Sequence, residues 1–561
     1  MSKRFVLTLC VLLSIVFAFS FGLNTSQTDF DILIKKGKII DGTGNPWFYG
    51  DLGIIGDTIY EVGNLKGKTA AKIIDAQGMI VAPGFIDMHT HCDNGLGSVP
   101  TNANLNYLSQ GVTTVVTGNC GYGTFRIAET KAKWENQGIG TNAILLVGLG
   151  TVRNEVLEEE NRPPSAEELE KMKSIVKQAM EEGAWGISTG LQYIPGRYAT
   201  TEEVIALTEV VGEYGGIYTS HQRDEEEHLA EAVKETIRIG KKTGVRVNAA
   251  HLKAAGKNNW GLMKEAVRLI NEARARGIYI TADMYPYDKA ATAPILTIFN
   301  IPKDMKHLID LEKKIMDEST PPMERLKLLK LAVDEFVKAL TDKTKRGKIK
   351  KITLEGDPEK VNWVKTWGWH NFTIVSAKKN THLIGKILSD LAQEQQRDAF
   401  DIAADLFIEE KLNLFISLAA MSEDDMKHAM KQDWLMISSD GSAVAYKVEH
   451  VHPRNYGSFT RVLRKYVREE KTLTLEQAVR KMSSLPAHLL QMKDRGLLLK
   501  GYKADVVIFE PEKVRDNATY LDSHQYSSGI EYVLVNGKIT IENGQYNKTL
   551  SGKVLLLTDN K

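Results

Sequence analysis

Apolar and polar residues alternate with period two near both ends of the chain, which predicts short β-strands there. Runs with this pattern lie at 31–35, 52–55, 58–62, 504–509, 532–535 and 538–541. Asn536-Gly537 separates the last two runs and predicts a hairpin turn. We therefore expect one small β-sandwich domain assembled from both ends of the chain, from residues 30–83 and 489–557.

The middle of the chain alternates short apolar runs with segments of helical periodicity. The candidate strands are Phe85–Met88, Val112–Thr117, Asn142–Val147, Ala184–Ser188, Ile217–Ser220, Val245–Ala250, Ile278–Ala282 and Trp434–Ser438. Ser165 and Glu168 form a capping pattern that predicts a helix running to about Glu182. A second helix start is predicted at Thr200, and helical periodicity also runs through 225–242. Strands alternating with helices predict an α/β fold, a (β/α)₈ TIM barrel over residues 84–488.

Residues 300–430 are too many for one connection within such a barrel. Helix-like charged segments at 310–318 and 323–340 predict an insertion with extra helices, and Asn371–Ser376 is a further candidate strand. Two roles remain open for the insertion: a lid over the barrel mouth, or a peripheral decoration with no part in catalysis. Within it, the Lys-rich run Lys343–Lys351 favours a solvated loop.

The balance of basic and acidic residues narrows the classes of partner that the chain is expected to bind. The chain carries 72 Lys and Arg against 71 Asp and Glu, so its formal net charge is +1. Nucleic-acid binding needs a strongly basic surface, so we expect no nucleic-acid partner. The sequence predicts no particular oligomeric state.

The N-terminus has the pattern of a secretory signal. Lys3 and Arg4 precede an apolar run over 5–21, and small residues follow it. We expect a signal peptide over residues 1–22 and export to the periplasm or the medium. An uncleaved membrane anchor is the alternative, and no later stretch is predicted to cross a membrane.

Metal-ligating residue types stand at the ends of five candidate strands. They are His89, His91, Cys120, His221, His251 and Asp440. Residues two apart on a strand point to the same side, which brings His89 and His91 together. The C-terminal strand ends form the active-site face of a TIM barrel, so we expect all six to converge. A thiolate among imidazoles favours zinc, although Cys120 could instead be a buried structural thiol or pair with Cys92.

Longer motifs surround these donors. They are Gly84–His91, Gly111–Gly121, Ser188–Gly196, Ser220–Glu225, His251–Lys253, Tyr285–Tyr287, Ser439–Gly441 and His452–Ser458. In their order and spacing they resemble the N-acyl-D-amino-acid deacylase (D-aminoacylase) family of the metal-dependent amidohydrolase superfamily. The resemblance runs from about residue 30 to 545 and weakens across 300–430.

That resemblance implies one tightly held zinc ion at Cys120, His221 and His251. It implies a second, weaker metal position at His89, His91 and Asp440. Asp440 would be the general base, and a zinc-activated water would attack the amide carbonyl. The substrate-binding residues that it implies are Tyr193, Lys253, Tyr285 and Arg454. The expected substrate is therefore a small N-acyl-D-amino acid, whose free carboxylate Lys253 and Arg454 would bind.

Three positions near the expected pocket depart from the family pattern: Cys92, Leu149 and Ala291. They leave the substrate open, so two alternatives stand beside the deacylase. One is a cyclic amide or dipeptide hydrolase with the same zinc chemistry. The other is a binding protein without turnover.

Overall fold

In the computed structural model, the described residues are 28–316, 322–357, 362–419, 421–448 and 450–560. The predicted signal peptide, residues 1–22, lies outside these ranges. Every helix within them falls short of the length or apolarity that a membrane span needs.

The chain begins with five strands of a β domain. They are β1 (Phe30–Ile39), β2 (Phe48–Ile55), β3 (Thr58–Gly63), β4 (Ala70–Asp75) and β5 (Ile80–Pro83). β1 pairs antiparallel with β2 and parallel with both β4 and β5. The predicted runs at 31–35, 52–55 and 58–62 fall within β1, β2 and β3.

Only Gly84 separates β5 from the first strand of the barrel. Its strands follow as β6 (Phe85–Asp87), β7 (Val112–Thr117), β8 (Asn142–Leu145) with its continuation β9 (Val147–Gly148), β10 (Gly186–Gly190), β11 (Ile217–His221), β12 (Arg246–Ala249) and β13 (Ile280–Met284). Neighbouring strands from β6 to β8 and from β9 to β13 pair in parallel. These positions confirm the predicted strands to within about two residues at most boundaries.

Helices lie between these strands. They are α1 (Asp93–Leu96), α2 (Leu105–Leu108), α3 (Ile127–Gln137), α4 (Leu149–Leu157), α5 (Ala166–Glu181), α6 (Thr201–Glu213), α7 (Leu229–Thr243) and α8 (Met263–Ala275). Ser165 and Glu168 form the predicted capping box at the start of α5, and Thr200 caps α6. The helix predicted from residue 225 is wrong at its start, because α7 begins only at Leu229.

The insertion follows β13 as a small sheet with helices. Its elements are β14 (Lys289–Pro294), α9 (Lys306–Met316), α10 (Pro322–Thr341), α11 (Lys343–Glu355), α12 (Trp363–Trp367), β15 (Phe372–Ser376), α13 (Leu388–Gln395), α14 (Ala399–Glu410) and β16 (Phe415–Ala419). β16 pairs antiparallel with β14 and β15, so the candidate strand at 371–376 lies outside the barrel. The solvated loop predicted at Lys343–Lys351 is wrong, because Asp342 accepts two backbone N–H bonds and caps α11.

The barrel then closes. After α15 (Glu423–Met430), β17 (Leu435–Ile437) pairs in parallel with β13, and Gly441 bridges to Thr90 just beyond β6. The eighth strand is thus the predicted one. Further helical segments follow at α16 (Arg454–Arg461), a π-helix (Val462–Glu469), α17 (Leu475–Met482) and α18 (Ser484–Leu489).

The chain ends by completing the β domain. Strands β18 (Val506–Phe509), β19 (Ile530–Val535), β20 (Lys538–Glu542) and β21 (Gln545–Tyr546) join β5 to make one nine-stranded sheet with β1–β4. Residues from the N-terminal strands and from the C-terminal strands of this sheet pack into one apolar cluster. The two ends of the chain therefore share one core. Val554 and Leu555, inside the segment predicted for this domain, instead form β22 and pair with barrel strand β8.

Candidate active site

The six predicted metal donors converge at the C-terminal ends of the barrel strands. The Cys120 Sγ atom lies 3.4 Å from His89 Nε2, 3.5 Å from His221 Nδ1 and 3.6 Å from His251 Nε2. The Asp440 Oδ1 atom lies 3.2 Å from His91 Nε2 and 3.6 Å from His89 Nε2. Cys92 and Cys120 are both free thiols, so the alternative disulfide is excluded.

Three of these donors adopt unusual backbone conformations. The φ angle is 54° at Cys120, 32° at His251 and 51° at Asp440. Side-chain-bearing residues seldom adopt positive φ, and such strain concentrates at functional sites. The strand ends therefore turn sharply at the residues whose side chains point into the centre.

Two buried acidic side chains hold the turns at His251 and Asp440 in place. Asp87 accepts hydrogen bonds from the backbone N–H groups of His89 and Ser439, both at 3.1 Å. Asp283 accepts one from the His251 N–H at 3.0 Å and one from the Ser438 hydroxyl at 2.7 Å. Burial raises the pKa of Asp87 to about 8 and that of Asp283 to about 6.

The loop that carries Cys120 packs against the end of β10 without room for a side chain. A Cβ atom added to Gly190 would lie 2.2 Å from the Cys120 carbonyl oxygen. A Cβ added to Gly121 would lie 2.8 Å from the Gly190 nitrogen. The two glycines therefore let the thiol approach the imidazoles on β11 and β12.

Two residues orient the imidazoles from behind. The Glu225 Oε1 atom lies 2.9 Å from His251 Nδ1, on the side of the ring away from Cys120, and Lys253 Nζ lies 2.8 Å from the same nitrogen. The Gln192 Oε1 atom lies 3.0 Å from His221 Nε2 in the same way. Such acceptors fix the tautomer of a ligating histidine, leaving the other ring nitrogen free for a metal.

Burial sets the protonation of these groups. It lowers the pKa values of His89, His221 and His251 well below the usual range, so the rings are neutral at neutral pH. It also raises the pKa of the Cys120 thiol well above its usual value, and nearby carboxylates add to this. A thiolate at this position therefore needs a cation beside it, which a metal ion would supply.

The donor set fits such an ion. Three groups have ligand atoms within 4.8 Å of one another: Cys120 with His221 and His251, His89 with His91 and Cys120, and His89 with His251 and Asp440. Neutral imidazoles, one thiol and one carboxylate are the ligands that zinc prefers. The arrangement can hold one or two metal ions.

Positive charge lies next to the donors. Arg454 Nη1 donates to Asp440 Oδ2 and to the Ala290 carbonyl, both at 2.8 Å. Lys253 Nζ donates to Glu225 at 2.5 Å. The Tyr285 ring lies between the two cations, 5.8 Å from Lys253 Nζ and 4.9 Å from Arg454 Cζ. This pair can bind a carboxylate that enters the site.

Neighbouring charges set the pKa values of Asp440 and Lys253. Burial alone would raise the pKa of Asp440, but Arg454 and the His91 ring hold it well below its usual value. Burial would lower the pKa of Lys253, but Glu225 keeps it raised. Asp440 is therefore an anion, and Lys253 a cation, at neutral pH.

The remaining predicted residues lie around this centre. The Tyr193 ring is 4.5 Å from the His221 ring. Leu149 is buried at the first position of α4, and Ala291 is half-buried on β14. Cys92 precedes α1 and contacts Asn104, so it provides no ligand to the donor set. Glu225 and Gln192 lie within the motifs Ser220–Glu225 and Ser188–Gly196, but neither stands at a strand end, the position that marks the metal donors.

A TIM barrel with these donors at its C-terminal strand ends is the architecture of a metal-dependent amidohydrolase. The amidohydrolase family model matches residues 72–301 and 389–541. The unmatched stretch between them lies within the insertion. The D-aminoacylase of Alcaligenes xylosoxydans xylosoxydans is 32% identical over 559 residues, covering 95% of this chain and 99% of that protein.

Solved structures agree with this relationship. The N-acyl-D-glutamate deacylase of Bordetella bronchiseptica, solved with zinc and a phosphonate that mimics the tetrahedral intermediate, superposes with a TM-score of 0.72. It is 30% identical and covers 94% of this chain and 99% of its own. A D-aminoacylase structure addressing a binuclear metal centre gives the same TM-score and identity, covering 94% of this chain and all of its own. The chain belongs to the amidohydrolase family, within its D-aminoacylase branch.

The Glu225 contact can be tested by its effect on metal affinity. We expect Glu225→Gln to raise the zinc dissociation constant about ten- to a hundredfold, because the substitution weakens the acceptor behind a ligating ring. Competition with a chromogenic chelator measures this constant. Glu227→Gln is the matched control, because Glu227 is exposed and pairs with His228, which is not one of the metal donors. Equal zinc affinity of the two variants would show that Glu225 does not orient His251 for the metal.

Proposed function

We propose that the protein is a zinc-dependent hydrolase that splits N-acyl-D-amino acids into a carboxylic acid and a free D-amino acid. One observation carries this proposal: a thiol surrounded by three imidazoles lies next to an acid, Asp440, and a pair of carboxylate-binding cations. The named deacylases among the relatives support the same reaction class.

Zinc would be held tightly by Cys120, His221 and His251, and His89, His91 and Asp440 offer a second, weaker position. When bound, zinc supplies Lewis-acid chemistry, which lowers the pKa of water toward about 7 and polarises the acyl carbonyl.

The residues of the chain would perform the remaining steps. Asp440 accepts a proton from the water that attacks the acyl carbonyl and passes it to the departing amine. Lys253 and Arg454 bind the substrate carboxylate, and Tyr285 between them limits how that group can turn. Arg454 pairs with Asp440 in this structure, so an incoming carboxylate offers the guanidinium a second anionic partner.

Paired substrates test this function. We expect the zinc-loaded protein to release acetate from N-acetyl-D-amino acids at least about a hundredfold faster than from the L forms. With the amide fixed at the metal and the carboxylate at the cationic pair, the side chains of the D and L forms enter different parts of the site, and only one of the two can fit. The matched D-carboxamide should be a poor substrate, because it lacks the charge that Lys253 and Arg454 bind. An assay of acetate release gives kcat/KM for the D form, the L form and the D-carboxamide.

Asp440→Asn is the matched inactive variant. It keeps the shape of the side chain and removes the proton acceptor, so we expect kcat to fall by about two to four orders of magnitude. Cys120, His221 and His251 should retain zinc in this variant. Equal turnover of D and L substrates, or full activity of Asp440→Asn, would contradict the proposal.

We also propose that the protein is exported. The basic start and the apolar run over residues 5–21 support cleavage after about residue 22. Expression of the full chain in a bacterial host, followed by mass spectrometry of its N-terminus, should find a shortened chain outside the cytoplasm. An intact N-terminus in the membrane fraction would instead indicate an anchor.

A further inference from the structure

A large cavity adjoins the metal donors. Its volume is about 1070 Å³, and its inner wall includes Gln192 and Tyr193. Gln192 accepts a hydrogen bond from His221, and the Tyr193 ring packs 4.5 Å from the same imidazole. Gln192 and Tyr193 therefore contact a metal donor on one side and border the cavity on the other.

The outer wall of this cavity comes from the insertion and is apolar. Leu308 on α9, Val333 and Phe336 on α10, and Phe299 line it, and all four are buried side chains. The Phe299 and Phe336 rings pack 5.8 Å apart. The insertion thus supplies an apolar wall to a cavity that Gln192 and Tyr193 also line. This favours a role for the insertion beyond peripheral decoration.

Charge is confined to the rim. Among the described residues that line the cavity, the acidic and basic side chains are Glu312 and Lys378, which are exposed, and His450, whose pKa is lowered by burial. Burying an unpaired charge against the apolar wall would be costly. The interior therefore suits a neutral, apolar group and disfavours a charged side chain.

The size of the cavity exceeds what a short acyl group or a small side chain needs. Ligand sites for drug-sized molecules span about 300–1,000 Å³, so an acetyl group would leave most of this space empty. We propose that the cavity binds a long apolar group of the substrate, which is either its acyl chain or the side chain of its amino acid. This inference rests on the proposed deacylase function and specifies its substrate class.

Two substrate series separate the sources of that group. One lengthens the acyl chain of N-acyl-D-alanine from acetyl to dodecanoyl. The other keeps the acetyl group and lengthens the D-amino-acid side chain to eight carbons. We expect kcat/KM to rise about fourfold for each added methylene in one series, which is the fold-change that burying a methylene gives. The rise should stop once the cavity is filled.

A flat response in both series, with N-acetyl-D-alanine still hydrolysed, would overturn this inference and leave the deacylase function standing. A rise in the acyl series identifies the acyl chain as the occupant of the cavity. A rise in the side-chain series identifies the amino-acid side chain instead.

A substitution that fills the cavity tests whether the cavity binds the long apolar group. Ala332 lines the cavity on α10, and its neighbour Leu331 is 43% exposed and does not. We expect Ala332→Trp to lower kcat/KM for the longest good substrate at least about tenfold, because the indole takes the space of several methylenes. Its activity on N-acetyl-D-alanine should stay within about twofold of the unaltered protein. Leu331→Trp is the control and should leave both values unchanged.

A binding measurement keeps the cavity testable without turnover. Calorimetry with butanoate, octanoate and dodecanoate should show affinity that rises with chain length, and Ala332→Trp but not Leu331→Trp should abolish the rise. If no D substrate is hydrolysed, the proposed function fails while this titration still decides the cavity. Equal dodecanoate affinity of the two variants would overturn the cavity proposal.

Discussion

One thiol surrounded by three imidazoles is the constraint on which the rest of the site depends. To bring Cys120 within 3.6 Å of rings on three other strand ends, the chain accepts left-handed backbone at Cys120, His251 and Asp440. Glycine at 121 and 190 gives the Cys120 loop its room, and the buried acids Asp87 and Asp283 hold the other turns. Strain at the donors is thus balanced by the polar network beneath them.

The insertion extends this centre on one side. Arg454 donates to the carbonyl of Ala290 on β14, so the insertion begins next to the cationic pair of Lys253 and Arg454. Its helices then form the far wall of the cavity beside His221. The family model matches the barrel and leaves residues 302–388 of the insertion unmatched, so the motifs that define the family lie on the barrel.

Much of this arrangement could be predicted from local pattern. The eight strands, the capping box at Ser165 and the clustering of the donors all follow from periodicity and position at strand ends. Contacts between distant segments could not be predicted this way. β22 pairs with β8 across about 410 positions of sequence, and nothing in its own residues specifies that partner. Helical periodicity over 225–242 also placed Glu225 in a helix, whereas the helix begins at Leu229. Glu225 lies in the preceding loop, where it contacts His251 and Lys253.

The central claim is that the Cys120 thiolate is a metal ligand. X-ray absorption at the zinc edge of the loaded protein measures it directly. The account predicts a sulfur scatterer at about 2.3 Å together with nitrogen scatterers at about 2.0–2.1 Å, and loss of the sulfur shell in Cys120→Ser. A spectrum with nitrogen and oxygen scatterers alone in the unaltered protein would contradict it.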